Sequence, residues 1–348
     1  MFKSAILGCR GRARAHAKAY ESIERGTAAA ICDMNEEALN EFGDSFGIDQ
    51  RYTDIDQMLE KEKPDLLHIV TAPVLRGTAE PIRYPLMNIA SEHKVPAVII
   101  EKPIAVMGED WRQIRDLSEQ SGTKFAVNTQ LHFHPQNLAL KKDVAEGKIG
   151  EIKLIEASSR NPPVDQAPHV LQLISSYINN SRPVKVMGQI AGKNQLASDQ
   201  PSPDNATARI AYENGVRTSV AFGPEMAIRV LPDTGNHRHK RVCVFGTKGF
   251  VHWRFESWEK YTPESGYQSG DLDYSEQDAV AQIGLTEAML DWLEDEGKVH
   301  PTNLKQSLAE FNLLLGIYQS GSIREPIDLP FDPPDKFIEQ MQSILERS

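Results

Sequence analysis

The fold of the first part of this chain is decided by residues 4–13, which read SAILGCRGRA. A buried strand that ends at a glycine and leads directly into a helix is typical of the dinucleotide-binding turn, whose pattern is G-x-G-x-x-G/A. The first glycine makes the tight bend, the second lets the backbone approach a pyrophosphate, and the third lets the helix pack on the strand. Gly8 and Ala13 fit the first and third positions, whereas Arg10 occupies the second. Taken alone, the turn leaves open a glycine-containing bend that binds no nucleotide.

A carboxylate downstream of the turn favours the nucleotide. Asp33 ends the second predicted strand, about 20 residues past the turn, where an acidic residue accepts hydrogen bonds from the adenosine ribose. It would repel a 2′-phosphate, and the next two residues, Met34 and Asn35, bring no cation, so the pattern favours NAD over NADP. Arg10 and Arg12 are candidates for a pyrophosphate contact, and an arginine that binds a 2′-phosphate instead keeps NADP open. The alternative role for Asp33 is a helix cap or turn residue.

Short apolar runs alternate with amphipathic segments over residues 1–130. This alternation predicts a parallel sheet covered by helices on both faces, and hence an N-terminal, doubly wound Rossmann domain in residues 1–130. We predict strands at Ser4–Leu7, Ala28–Cys32, Leu66–Val70, Val95–Ile100 and Lys124–Val127. We predict helices at Arg14–Glu24, Asn35–Phe46, Asp54–Glu62 (capped by Thr53 or Asp54) and Asp110–Ser121.

The pattern changes after Pro135. Strand-like runs dominate, and Asn214-Gly215 is a strong hairpin signal, so residues 131–348 are predicted to form an α+β domain with a mostly antiparallel sheet. The predicted strands are Ile149–Ser158, Val184–Ile190, Ala206–Tyr212, Thr218–Phe222 and Arg241–Phe245. The predicted helices are Leu138–Glu146, Ala279–Glu296 and Asn303–Ser320, and the last two are candidates to pack back on the first domain. The basic stretch 236–241 is predicted to be a solvated loop, with a lip that attracts an anionic substrate as the alternative.

Composition narrows the class of protein. A chain of 348 residues is too long for one ordinary core, and its net charge of −11 argues against nucleic-acid or anionic-membrane partners. No apolar run approaches the roughly 18 residues of a spanning helix, and no signal-peptide pattern precedes the first strand. Three cysteines suit a reducing compartment, so we expect a cytoplasmic enzyme. The pairs His132/His134 and His237/His239 lack further ligands at metal spacing, so no metal site is expected.

Glu101-Lys102-Pro103 ends the strand predicted at Val95–Ile100. The carboxyl edge of a parallel sheet is where ligands bind, and a lysine there, beside a glutamate, is a plausible proton-transfer group. The alternative is a solvated strand end.

These residues together resemble the glucose-fructose oxidoreductase and inositol dehydrogenase family (Gfo/Idh/MocA) over nearly the whole chain. Glu101-Lys102-Pro103 is similar to its most specific signature, and Thr71-Ala72-Pro73 to its Thr-Pro turn beside the nicotinamide. The stretch 132–135 resembles its Arg-Phe-x-Pro crossing into the second domain, and residues 165–169, DQAPH, resemble its Asp-x-x-x-His element.

The resemblance implies a second domain with a large, open sheet that forms homo-oligomers (dimers or tetramers), and oxidation or reduction of a sugar, cyclitol or related polyol with a nicotinamide cofactor. It implies that Lys102 is a catalytic or orienting base, that His169 is the acid/base on the reacting hydroxyl, and that Asp165 orients the substrate. Pro168 suggests that the helix starts near His169 and leaves Asp165 before it. Cofactor contacts are expected from Gly8, Arg10, Gly11, Arg12, Ala13, Asp33, Thr71, Pro73, Arg76, Glu101, Lys102 and Gln130.

Several positions depart from the family pattern. They are Arg10, Arg76, His132 and Gln172, together with an insertion at 77–85. The resemblance as a whole leads us to expect an NAD(P)-dependent dehydrogenase acting on CH–OH groups, and these departures keep two alternatives open. One is an NAD-dependent enzyme that cleaves a glycoside through transient oxidation, and the other is an inactive nucleotide or sugar sensor.

Overall fold

A computed structural model describes residues 1–75, 78, 80–228, 235–334 and 336–346 of the chain. These residues group into two compact units. The first unit comprises 1–105, 110–133 and 278–307, and the second comprises 106–109, 134–277 and 308–348. Across the described residues, no helix combines the length and the apolar character that crossing a membrane would require.

The first unit contains a six-stranded sheet whose paired strands all run parallel. Its strands are β1 (Phe2–Leu7), β2 (Gly26–Cys32), β3 (Gln50–Tyr52), β4 (Leu66–Ile69), β5 (Ala97–Glu101) and β6 (Lys124–Asn128). They lie in the order β3-β2-β1-β4-β5-β6, which confirms the predicted doubly wound Rossmann fold. The order reverses between β1 and β4, and ligands of such sheets bind at the carboxyl ends of the strands at that point.

The helices of this part are α1 (Ala13–Ala19), α2 (Glu36–Phe46), α3 (Ile55–Glu62), α4 (Arg83–Glu92) and α5 (Gly108–Gln120). Asp54, one of the two predicted caps, accepts a hydrogen bond from the Gln57 N–H. The prediction for the first helix is wrong at its end, because Glu21 and Ser22 bond three residues back and tighten the chain into turns. The sequence analysis missed α4, although Pro85 lies in its first turn, where a proline removes no helical hydrogen bond.

The second unit is built on a nine-stranded sheet. The strands are β7 (Ile152–Ser159), β8 (Pro183–Ala191), β9 (Asn205–Tyr212), β10 (Arg217–Phe222), β11 (Lys240–Gly246), β12 (Phe250–Arg254), β13 (Ser257–Thr262), β14 (Gly266–Asp271) and β15 (Ile327–Asp328). Only β7 and β10 pair in parallel among the described strands of this sheet, which confirms the mostly antiparallel prediction. Gly215 takes a φ of +86° in the predicted hairpin between β9 and β10.

The remaining helices are α6 (Pro135–Ala145), α7 (Pro163–Tyr177), α8 (Tyr274–Glu294), α9 (Leu304–Ile323) and α10 (Phe337–Leu345). From Asp278 onward, α8 belongs to the first unit, where Leu285 and Met289 pack against Ile99 of β5. The predicted solvated loop at 236–241 is wrong at its end. His239 and Lys240 are buried there: His239 hydrogen-bonds to Ser158, and Lys240 is the first residue of β11.

Candidate active site

The turn after β1 requires glycine at one position. Gly8 has a φ of +97°, and a Cβ added there would lie 3.0 Å from the backbone carbonyl carbon and oxygen of Val70. Its N–H donates to the Cys32 oxygen at 2.8 Å, which ties the turn to the end of β2. Gly11, with a φ of +49°, and Arg10 are exposed, whereas Ala13 is buried at the start of α1. The turn therefore has a rigid base at Gly8 and an open rim at Arg10 and Gly11.

Asp33 follows β2 and lies against this turn. Its Oδ2 accepts from the Cys9 N–H and its Oδ1 from the Asn35 N–H, both at 2.8 Å. The carboxylate thus has the structural role that the sequence left as the alternative. A carboxylate oxygen accepts more than one hydrogen bond, so a ribose hydroxyl can share the same group.

Arg12 lies among acidic and amide side chains. Its Nη1 donates to Asp278 at 2.5 Å, its Nη2 to Gln282 at 2.9 Å, and its Nε lies 3.8 Å from Glu101 Oε1. Gln130 donates to the same Asp278 carboxylate at 2.8 Å. Two residues predicted to contact the cofactor therefore share one acidic partner on α8.

The turns after β4 and β5 are joined by an arginine that the sequence analysis missed. Arg83, at the start of α4, is fully buried; its Nη1 donates to Thr71 Oγ1 at 3.1 Å and its Nε to the Pro103 oxygen at 3.4 Å. Burial lowers the pKa of Arg83 to about 10, so the guanidinium stays charged at neutral pH. Pro73 accepts a backbone hydrogen bond from Ile82 at 2.9 Å. Arg83 was missed because its segment reads as an insertion. Arg76, which was predicted to contact the cofactor, lies outside the described residues.

Glu101 ends β5 with a side chain held by donors. Its Oε1 accepts from Asn128 Nδ2 and lies 3.0 Å from His16 Nε2. Burial opposes its ionisation, but the hydrogen bonds from His16 and Asn128 and the charge of Arg12 outweigh burial and lower its pKa to about 2. Glu101 is therefore a buried anion next in sequence to Lys102, which is half-buried at the end of the same strand.

Two histidines and a tyrosine complete this cluster, and sequence reasoning missed them. His16 on α1 and His68 on β4 are fully buried, with their Nδ1 atoms 2.9 Å apart. The Tyr20 hydroxyl lies 2.7 Å from His68 Nε2. The available signal was a histidine on the apolar face of α1 and another inside the apolar run of β4, a pattern more often found in ordinary cores.

In the second unit, α7 brings two predicted residues together. Asp165 lies in its first turn and accepts from Asn161 at 2.8 Å and Gln166 at 3.0 Å, and His169 follows one turn later with 4% of its surface exposed. The predicted helix start near His169 is wrong. Pro163 begins the helix, and Pro168 removes only one hydrogen bond from a segment whose apolar face is buried.

Two of the residues that depart from the family pattern lie in packed surroundings. Gln172 on α7 is fully buried, and the half-buried His132 ring lies 4.8 Å from the Phe133 ring. Within the described ranges, no group of three or more histidine, cysteine, aspartate or glutamate side chains is arranged to hold a metal ion.

Comparison with known proteins finds a family match in the N-terminal part of the chain. Residues 2–129 match the Gfo/Idh/MocA family model, described as "Oxidoreductase family, NAD-binding Rossmann fold". The resemblance is thereby confirmed over the stretch that carries the Gly8 turn and Glu101-Lys102-Pro103, and the NAD prediction agrees with the family description.

Curated relatives match the same part of the chain. A D-apiose dehydrogenase of Paraburkholderia graminis is 30% identical over 149 residues, which are 43% of this chain and 38% of that protein. An inositol 2-dehydrogenase of Rhizobium meliloti is 25% identical over 163 residues, 46% of each chain. The match therefore spans less than half the length of these relatives.

A solved structure extends the likeness of fold. An oxidoreductase from Agrobacterium radiobacter, in complex with NAD+, L-tartaric acid and magnesium, is 21% identical with a TM-score of 0.77. The alignment covers 94% of this chain and 98% of that one, so the likeness of fold extends over nearly the whole chain.

Proposed function

We propose, from the premise that residues 2–129 are an NAD-binding domain of the Gfo/Idh/MocA type, that this protein is an NAD-dependent dehydrogenase. It would transfer a hydride between the cofactor and a secondary hydroxyl or carbonyl of a sugar, cyclitol or related polyol. The observation that carries the proposal is the buried, ionised Glu101 next to Lys102 at the ligand-binding edge of the sheet.

The residues around the turn fit the cofactor. Gly8 lets the turn pass close to the Val70 carbonyl, and the open space at Gly11 would admit a pyrophosphate, while Asp33 would accept hydrogen bonds from the adenosine ribose. Thr71 and Pro73, fixed through Arg83 and Ile82, would flank the nicotinamide. When bound, the nicotinamide supplies the hydride acceptor or donor. NADP is the second candidate, because the exposed Arg10 offers a cation at the open rim.

The chain's own side chains would handle the proton and the substrate. Oxidation of a hydroxyl requires a base in hydrogen-bond reach as the carbonyl forms, and we assign this role to Lys102 or His169. Asp165, which accepts only from neutral amides among its described hydrogen bonds, would orient the substrate hydroxyls. The ionised Glu101 would help to orient Lys102, which follows it in the chain.

The relatives support the substrate class. One acts on D-apiose, a sugar, and another on inositol, a cyclitol, and both are named dehydrogenases. Those names favour net oxidation over the glycoside-cleaving and sensor alternatives. A small-molecule substrate also suits the net charge of −11, which disfavours nucleic acid.

Assembly and compartment are part of the same proposal. The wide sheet of the second unit ends in a hairpin, β13–β14, with an exposed Tyr267, and we assign this sheet to a homo-oligomer, a dimer or tetramer. Three buried cysteines that form no disulfide suit the cytoplasm.

A dehydrogenase assay tests the activity. Purified protein would be incubated with NAD+ and then with NADP+ across pentoses, hexoses, inositols and sugar acids, and NADH formation followed by absorbance. We expect cofactor reduction with at least one member and a preference for NAD+. Release of an aglycone from a glycoside without net NADH would instead support the cleavage alternative, and no turnover of any member would support the sensor.

A further inference from the structure

A chain of four buried or half-buried side chains runs through the first unit and ends at Glu101. The Tyr20 hydroxyl is 2.7 Å from His68 Nε2, His68 Nδ1 is 2.9 Å from His16 Nδ1, and His16 Nε2 is 3.0 Å from Glu101 Oε1. All three distances are those of good hydrogen bonds. Each histidine is fully excluded from solvent, so every ring nitrogen in the chain must find its partner within the protein.

The carboxylate sets the direction of these hydrogen bonds. An ionised Glu101 can only accept, so His16 Nε2 must carry a proton and donate it. Burial lowers the pKa of His16, which leaves the ring neutral and its Nδ1 an acceptor. His68 must then donate from Nδ1, and its Nε2 accepts from the Tyr20 hydroxyl. Only this order gives each of the three contacts one donor and one acceptor.

Two amide side chains agree with the same order. Asn128 donates to Glu101 and, at 3.2 Å, to Gln282 Oε1, which uses both of its amide hydrogens. Its Nδ2 also lies 3.0 Å from His16 Nε2, and in the proposed order these two nitrogens are both donors that share the Glu101 Oε1 acceptor. Gln282 Nε2 lies 3.4 Å from His16 Nδ1, where a donor suits an unprotonated nitrogen. Through Gln282, helix α8 therefore supports the same His16 tautomer, protonated at Nε2 and unprotonated at Nδ1, that the contact with His68 requires.

We propose that His16 is a positioning residue that holds Glu101 as an inward-facing anion, and that His68 and Tyr20 fix the tautomer in which His16 donates from Nε2. The order of the hydrogen bonds is a property of the first unit alone. Its effect on turnover rests on the proposed function, since Glu101 acts there by orienting Lys102.

The physical basis is the cost of a buried charge. A carboxylate taken from water costs several kcal/mol unless hydrogen bonds and opposite charge repay it. Without a donor at His16, Glu101 would take up a proton or turn toward Arg12, and either change would alter the charge next to Lys102. The titratable groups that face this chain from other elements are Arg12 and Asp278 beside His16, Glu287 beside Tyr20, and Arg83 beside Glu101.

Nitrogen NMR tests the hydrogen-bond order without any substrate. Long-range 15N–1H spectra of the full-length protein should show His16 protonated at Nε2 and His68 protonated at Nδ1, unchanged from about pH 8 to about pH 6. His93, on the surface beside Asp56, provides the reference signal of a solvent-exposed imidazole in the same spectra. A His68 ring protonated at Nε2, or a His16 ring protonated at Nδ1, would overturn the proposal.

Two substitutions test the positioning role. His16→Leu removes the donor and should lower kcat by about 10- to 100-fold with little change in KM, because misplacement of a reacting group acts on the chemical step. His16→Gln can offer its amide hydrogen near the place of Nε2 and should restore most of kcat, and His93→Gln is the matched surface control. Equal kcat in folded His16→Leu and wild type, or equal loss in both His16 variants, would contradict the role.

A change one step away keeps the test valid where His16→Leu does not fold. His68→Phe leaves the contact between His16 and Glu101 in place but removes the nearer donor to His16 Nδ1. Because an ionised Glu101 can only accept, His16 should stay protonated at Nε2, while the 15N resonance of its Nδ1 should move as the hydrogen bond from His68 is lost. An unchanged Nδ1 resonance, or a His16 ring protonated at Nδ1, would overturn the proposed order. If no substrate is found, the proposed activity fails while these NMR outcomes still decide the hydrogen-bond order.

Discussion

Two carboxylates, one in each unit, are held in opposite ways. Glu101 is 8% exposed and is surrounded by a histidine, an amide and a nearby guanidinium. Asp165 is half-buried on α7 and accepts from Asn161 and Gln166, which are neutral. The difference teaches that burial alone does not decide how a carboxylate is held: Glu101 is a deeply buried anion beside a guanidinium, whereas the described hydrogen bonds of the half-buried Asp165 come from side-chain amides.

The largest effect should come from Lys102, the proposed proton-transfer residue. Lys102→Ala should lower kcat by about 100- to 10,000-fold, because a positioned proton-transfer group contributes that much. Affinity for NAD+, measured by calorimetry, should stay within about 3-fold, since loss of a proton-transfer group acts on the chemical step and not on binding of the cofactor. A matched loss of NAD+ affinity and kcat would instead assign Lys102 to cofactor binding.

Glu101→Gln and Asp165→Asn test the comparison directly. Glu101→Gln removes the buried negative charge beside Arg12 and replaces one acceptor oxygen with an amide donor, so the free energy of unfolding should fall by about 3 kcal/mol. Asp165→Asn should cost about 1 kcal/mol or less, because Asp165 is half-buried and an asparagine keeps one side-chain oxygen that can accept from Asn161 or Gln166. Urea unfolding of both variants measures the difference, and equal costs would remove the distinction between the two units.

Acid should weaken the first unit through its buried histidines. Burial lowers the pKa of His300 to about 4, with its Nε2 3.0 Å from the Leu285 oxygen, and it also lowers the pKa of His16 and His68. A lowered folded-state pKa gives stability that is fully present above about pH 6.5 and is lost as pH falls toward the folded value. His300 alone should contribute a loss of about 3 kcal/mol by pH 4. Unfolding followed against pH should show this slope, and His300→Gln should reduce it; a flat profile from pH 6.5 to 4 would be the contrary result.

A smaller effect separates the base of the turn from its rim. Gly8→Ala should lower the free energy of unfolding by about 1–3 kcal/mol and weaken NAD+ binding, because the added Cβ meets the Val70 carbonyl at a strained φ. Gly11→Ala has a positive φ but open space within 4 Å, so about 1 kcal/mol is expected. Thermal unfolding and calorimetry of the pair compare them, and a Gly11 variant as impaired as the Gly8 variant would not fit this geometry.

The first unit was predictable because its motif constrains the fold. The turn at Gly8, the carboxylate at Asp33 and the strand ending at Glu101 recur in fixed relation to a parallel sheet, so element types followed from short segments. Helix α4 escaped because prolines interrupt its pattern, and with it Arg83, whose contacts with Thr71 and Pro103 are tertiary. Sequence spacing carries no information on such contacts.

The chain of histidines was out of reach for a related reason. His16 and His68 lie 52 residues apart and meet only because β1 and β4 are neighbours. In the second unit, β12 was missed because its buried run is only three residues long, and β13 and β14 because their half-buried and exposed positions lack a clean alternation. The start of α7 was misjudged because Pro168 was taken as a boundary, whereas packing of its apolar face outweighs one lost hydrogen bond.

Calorimetry of the purified, full-length chain with NAD+ tests the central claim most directly, because every proposed role depends on a dinucleotide seated at the Gly8 turn. The claim predicts saturable binding of NAD+ at one site per chain, weaker binding of NADP+, and a marked loss of NAD+ affinity in Asp33→Ala while the Asp165→Asn variant binds normally. Absence of binding by either dinucleotide to the folded protein, or an Asp33→Ala variant that binds NAD+ as the wild type does, would contradict it.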